Sequence, residues 1–153
     1  MKREGNSIAK EIGFSLLVEG KTLRIRADGY SMFPVIKAGS FIYIEPAAEP
    51  SPGEIIAWKR ETGFVVHRLI RIIRKGDQVC FITRGDSCAN EDQPVLKEQI
   101  AGKVIRIESS SGKRKVIRNK LISKPGYLYN ILLVWFIIRL RKVIKRKSPN
   151  PSR

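Results

Sequence analysis

Apolar residues occupy every second position in Thr22-Leu23-Arg24-Ile25-Arg26-Ala27, the period of a strand with one buried face. Further apolar or alternating runs follow at residues 40–44, 54–58, 63–70, 78–83, 100–108 and 114–118. Each is bounded by a turn signal: Lys37-Ala38-Gly39, the proline-rich stretch from Pro46 to Gly53, Thr62-Gly63, Gly76-Asp77 and residues 109–113. Short strands at regular spacing, broken by glycine and proline, predict an antiparallel sheet curled into a small sandwich or partial barrel. The period changes at both ends of the chain. Ile8, Ile12 and Leu16, with Phe14 beside them, have the spacing of a short amphipathic helix packed on the body. Residues 127–138 form an apolar run interrupted only by Asn130, and Leu140, Val143 and Ile144 carry an apolar stripe on through a basic section. No internal repeat is present.

With 153 residues and a hydrophobic fraction of 42%, the chain suits one domain with a real core. The net charge of +16 is unevenly placed. Residues 1–108 hold 17 basic and 14 acidic side chains, whereas residues 109–153 hold 13 basic and no acidic ones. This asymmetry predicts docking of the tail on something anionic. The run of twelve residues at 1.5 Å rise covers about 18 Å, short of a hydrocarbon core of about 30 Å. The C-terminal helix is therefore expected to lie in a lipid head-group region, with a short tilted span helped by snorkelling arginines, or packing on the body or a partner subunit, as the alternatives. The stretch of solid apolar residues favours lipid over nucleic acid, whose single-strand binders scatter aromatics along a basic groove. No signal peptide is expected at the start, and residues 148–153 are expected to be disordered. Cys80 and Cys88 read as two unpaired residues. One histidine and two cysteines make no zinc set, and no P-loop, dinucleotide-binding or EF-hand pattern occurs. No metal or cofactor is therefore expected.

Candidate chemistry centres on Gly29-Tyr30-Ser31-Met32-Phe33-Pro34. Gly29 permits a bend and Pro34 prevents the strand from continuing, so Ser31 falls at a strand end among large apolar neighbours. An ordinary turn has the same pattern. Ser31 gains weight from two other segments: the only histidine, His67, within an apolar run, and the acidic turn carrying Asp86 and Asp92. Serine, histidine and aspartate are the residue types of a nucleophile, a base and an orienting carboxylate. A neutral imidazole accepts the serine proton and returns it to the leaving amine.

The segments G-x-S-M-x-P, V-x-H-R and G-D-x-x-x-x-x-D, in this order across roughly residues 21–108, resemble the type I signal peptidases. Within them the chain is similar to the archaeal and endoplasmic-reticulum branch, which uses histidine where the ordinary bacterial branch uses lysine. Two departures accompany the likeness. Ser87 and Cys88 stand where the family's acidic segment has asparagines, and Gly29 stands where many signal peptidases place a serine hydroxyl beside the oxyanion. The backbone N–H of Ser31 is then expected to serve the oxyanion with a second backbone donor.

The resemblance implies a mainly β fold: a signal-peptidase/LexA-like curled antiparallel sheet with a short N-terminal helix and a C-terminal hydrophobic and basic helix. It implies a protease domain over residues 1–124 and a membrane-associating segment over residues 125–153. The implied catalytic residues are Ser31, His67, Asp92 and Asp86, one aspartate bonding the histidine and the other holding the turn, with the assignment between them open. Met32, Phe33 and Phe64 are expected to line a cleft for an extended peptide of a secreted or membrane-targeted precursor. The alternatives are a LexA/UmuD-like self-processing protease and a non-catalytic module gripping anionic lipid or nucleic acid. The LexA-like repressors use lysine as base and carry a helix-turn-helix, neither of which is evident here.

Overall fold

A computed structural model describes residues 13, 15–47, 49–60, 63–117 and 119–147. Eight strands make one sheet: β1 (Leu23–Arg26), β2 (Phe41–Glu45), β3 (Ile55–Arg60), β4 (Gly63–Lys75), β5 (Gln78–Arg84), β6 (Val95–Leu96), β7 (Ile100–Glu108) and β8 (Arg114–Val116). Their order is β1-β2-β7-β3-β4-β5-β6, with β8 on β7, and all pairings are antiparallel. The sheet curls without closing, and register shifts at Tyr43/Ile44, Ala57/Trp58 and Leu69/Arg71 mark where it bends.

Curling gives the sheet a core on each face. Leu17, Met32, Ile36, Ile42, Ile44, Ile55, Ala57, Ala101, Val104 and Ile107 fill one. Ile56, Trp58, Leu69, Phe81 and Val95 fill the other. β3 is the strand between them. Its residues Ile55, Ile56, Ala57 and Trp58 are all buried, which is why its sequence is continuously apolar rather than alternating. A fully buried isoleucine or leucine of this kind contributes roughly 1.5–3 kcal/mol.

The mainly β architecture is as the periodicity implies, with a helical stretch at residues 15–18 and a long helix, Lys124–Lys147, at the other end. Of the residues expected in the N-terminal helix, Ile8, Ile12 and Phe14 lie outside the described residues, as does the expected disordered tail. Leu17 supplies the buried contact there, one position on from Leu16. The two-residue strand β6 and the 3-10 turn Lys97–Gln99 after it are too short to leave a period.

β4 sets up the site. Its first half, Gly63–Arg68, pairs with β3, while β5 bonds its other edge only from Arg68 to Lys75. The pairing with β5 therefore does not extend along Gly63–His67, and β1 is an end strand of the sheet.

Candidate active site

The turn carrying Ser31 hangs between β1 and β2 and is pinned at its base. Ala27 N–H donates to Ser40 O and Gly39 N–H to Ala27 O, both at 2.8 Å. Gly29 has φ +91°, a region that side chains disfavour. Met32 and Ile36 are buried, and Ile36 N–H donates to Met32 O at 2.8 Å. The apolar neighbours of Ser31 thus anchor its turn in the core.

His67 lies on β4 immediately before the residue where pairing with β5 begins. Its Nδ1 is 2.6 Å from Asp92 Oδ2, and the Thr83 hydroxyl donates to the same oxygen at 2.6 Å. Asp92 N–H in turn donates to Thr83 O at 2.8 Å, tying the aspartate to the end of β5. Burial pushes the Asp92 carboxyl up, but the hydrogen bonds from His67 and Thr83 more than offset it and leave it below its ordinary value. An ionised carboxylate only accepts. Nδ1 must therefore carry the proton, and Nε2 is left as the accepting nitrogen.

Asp86 does something else. It is wholly buried and takes a two-pronged bond from Arg68, Nε to Oδ1 at 2.8 Å and Nη2 to Oδ2 at 2.7 Å. Arg68 Nη1 donates to Gly53 O at 2.8 Å. Burial pushes the Asp86 carboxyl up, with the Arg68 guanidinium opposing it. Of the two aspartates left open by the sequence, Asp92 meets the histidine and Asp86 holds the loop.

That loop, residues 85–92, stitches the three segments together. Ser87 N–H donates to Ser31 O at 2.9 Å and its hydroxyl to Tyr30 O, joining the loop to the serine turn. Arg84 Nε donates to Cys88 O at 2.9 Å, and Asn130 Nδ2, from the C-terminal helix, donates to Asp86 O at 2.9 Å. A methyl group on Gly85 would lie 2.5 Å from Cys88 Sγ, 2.7 Å from Ser31 O and 3.1 Å from His67 Nε2. Gly85 is therefore the point of closest approach between the serine turn, the loop and the imidazole, and only a residue without Cβ fits there.

Ser31, His67 and Asp92 line one cleft of about 320 Å³ with Gly29, Met32, Phe64, Arg60 and Asp28. Of the three expected lining residues, Met32 and Phe64 are present and Phe33 is not among those lining it. Phe33 is half-buried, and its neighbour Met32 takes the core position. Cys80 and Cys88 are unpaired thiols, and burial raises the pKa of Cys88. Among the described residues, no three His, Cys, Asp or Glu side chains are grouped so as to hold a metal ion.

A family model described as Peptidase S24-like matches residues 6–105. The chain belongs to that family. This S24-like peptidase is thus a member of a serine peptidase family, and the matched span holds Ser31, His67 and both aspartates. No curated protein matches the S24-like peptidase in sequence.

Sequence reasoning left four residues of the site without a role. Arg68 was visible as the last residue of V-x-H-R but without a role, and Thr83 only as a polar residue in a largely apolar strand. Ser87 stood out only as a departure from the resembling motif. Asn130 was the lone polar residue of the apolar run, and its burial against Asp86 O explains it.

Proposed function

We propose that this S24-like peptidase is a signal-peptidase-like serine endopeptidase of the histidine-using kind, cleaving an extended segment of a secreted or membrane-targeted precursor. The observation that carries the reading is that Ser31, His67 and Asp92 line one cleft, with His67 Nδ1 held by Asp92 and both the Ser31 backbone carbonyl and His67 Nε2 close to Gly85. The residues lining the cleft include no lysine among those described, which favours histidine as the base.

The chemistry follows from that arrangement. Ser31 Oγ attacks the scissile carbonyl carbon while His67 Nε2 takes its proton. Asp92, ionised and bonded to Nδ1–H, stabilises the imidazolium that forms. Collapse of the tetrahedral intermediate breaks the C–N bond, and Nε2–H protonates the leaving amine. Water, deprotonated by the same nitrogen, then attacks the acyl ester and frees the carboxylic acid and Ser31. The substrate backbone is taken up as an added strand. The cleft is lined by Ile25–Gly29, from the end of β1 onward, and by Phe64–His67 of β4, and β1 is an end strand of the sheet. Its floor, with Met32, Ile36 and Ile42, is apolar and continuous with the core, which favours small apolar side chains next to the scissile bond.

The test is cleavage of a peptide library by the full chain, read by mass spectrometry together with the mass of the enzyme itself. Cleavage in trans that is lost in Ser31→Ala and in His67→Ala is expected. Cleavage confined to the enzyme's own chain would replace this reading by self-processing, and cleavage retained by Ser31→Ala would remove the serine mechanism.

A further inference from the structure

The C-terminal helix has two unlike faces. On one, Tyr127 and Asn130 are buried against the body, Arg84 stacks over the Tyr127 ring at 3.8 Å, and Arg141 bonds the Tyr30 hydroxyl one residue from Ser31. Helical spacing carries that face along 127, 130, 134, 137 and 141. The opposite face holds Leu128, Leu132, Trp135 and Phe136, with exposures of 59%, 57%, 55% and 54%. So many large apolar side chains in one exposed stripe mark an interaction surface. Its continuation is basic: Arg139 follows on the same stripe and lies 4.5 Å over the Trp135 ring.

We propose that this stripe docks on an anionic lipid bilayer, the helix lying in the head-group region parallel to the surface. Charge selects the occupant. Residues 109–153 carry 13 basic side chains and no acidic one, so a second copy apposed on this stripe would bring like charges together. Nucleic acid would match the charge but has nothing for Leu128 and Leu132 to bury into. A bilayer takes both: acyl chains accept the leucines and aromatics, anionic head groups the arginines and lysines, and tryptophan favours the boundary between them. No described helix is long and apolar enough to cross a membrane, which leaves the interfacial pose. Because the opposite, body-facing side of the helix bonds Tyr30 and Asp86 O, the helix also fixes the orientation of the cleft relative to the surface. Lipid binding does not depend on the peptidase reading, and its test needs no substrate.

The full chain is sedimented with phosphatidylcholine vesicles and with vesicles containing 30% phosphatidylglycerol. Each basic side chain near such a surface is worth about fivefold, so at least tenfold tighter binding to the anionic vesicles is expected at low salt. The chain has two tryptophans, and Trp58 is already buried. A blue shift of emission on binding should therefore come from Trp135 and vanish in Trp135→Phe. The double variant Leu132→Glu/Phe136→Glu changes two exposed positions, so circular dichroism should be unchanged while vesicle binding falls at least tenfold. Recovery of the full chain in the supernatant with anionic vesicles overturns the proposal. So does wild-type binding by the double variant, which would mean charge alone, and so does vesicle binding abolished by self-association of the chain or by an oligonucleotide held on the same stripe.

Discussion

Replacing Asp92 by asparagine tests the assignment of the two aspartates most sharply. His67 Nδ1 and the Thr83 hydroxyl both point at Asp92 Oδ2, each at 2.6 Å. In Asp92→Asn the amide oxygen keeps both donors satisfied in that position, whereas an amide NH₂ there would require His67 to change tautomer and the Thr83 hydroxyl to turn and accept. Thr83 thus selects the amide orientation that keeps the proton on Nδ1 and Nε2 free to act as base. What is lost is the negative charge beside the imidazolium. A hydrogen bond to a charged group is worth about 1.5–3 kcal/mol, and at about 1.4 kcal/mol per decade kcat should fall by roughly one to two orders of magnitude. KM should change little, since Asp92 sits behind the imidazole from the scissile bond. Reversal of the tautomer would cost about 10⁴-fold instead. The double variant Thr83→Val/Asp92→Asn, which frees the amide to turn, should approach that larger loss. The assay is steady-state cleavage of the best library peptide. Unchanged kcat in Asp92→Asn would remove the carboxylate from the mechanism and refute the reasoning.

The remaining predictions concern stability and the frame of the site. Asp92 has its pKa lowered in the folded chain, so it stabilises the fold above the unfolded value of about 3.9, a contribution lost as pH falls through the lower folded value. Urea unfolding should accordingly show Asp92→Asn less stable than wild type at pH 6 and the difference shrinking as the pH is taken below 4; an equal difference at both pH values would contradict the linkage. Arg68→Met should cost about 3–5 kcal/mol by leaving Asp86 buried without its partner, measurable in the same titrations, whereas a loss below 1 kcal/mol would mean that water reaches the carboxylate. Gly85→Ala should lower kcat by at least tenfold with the secondary structure intact, because its methyl group collides with Ser31 O and Cys88 Sγ; full activity would show that the loop has room to move. Asn130→Ala should cost about 1 kcal/mol from the lost bond to Asp86 O, and removing the chain after Lys124 should cost more, since Tyr127 leaves as well.

The strands were legible because each has a period and a turn on either side, and Ser31, His67 and the acidic turn were legible because their residue types and order recur together. The pairing within the acidic turn was not. Asp86 and Asp92 sit six residues apart on one loop, and which of them meets His67 depends on how that loop folds over β4 and β5. Arg68 decides it: as the next residue after His67 it claims Asp86 and leaves Asp92 at the imidazole. Thr83 was hidden for a related reason, since a threonine in a strand is unremarkable until its cross-strand neighbours are known. The C-terminal helix was visible as an apolar run, but which of its faces packs on the body follows from Asn130 and Tyr127 finding Asp86 O and Arg84.

The end strand β1, beside the cleft, has a consequence beyond catalysis. An edge that offers unsatisfied amides and carbonyls to an incoming peptide offers them equally to the edge of a neighbouring molecule. If peptides are taken up as the proposed added strand, copies of the protein are exposed to one another in the same way at high concentration. Arg26 on β1 and Arg60 at the end of β3 both line the cleft and place positive charge there. Mutual repulsion there would keep copies apart while a short uncharged peptide passes. Raising the ionic strength screens such repulsion, so concentrated solutions of the protein should gain oligomers and lose activity with added salt, and dilution should restore both.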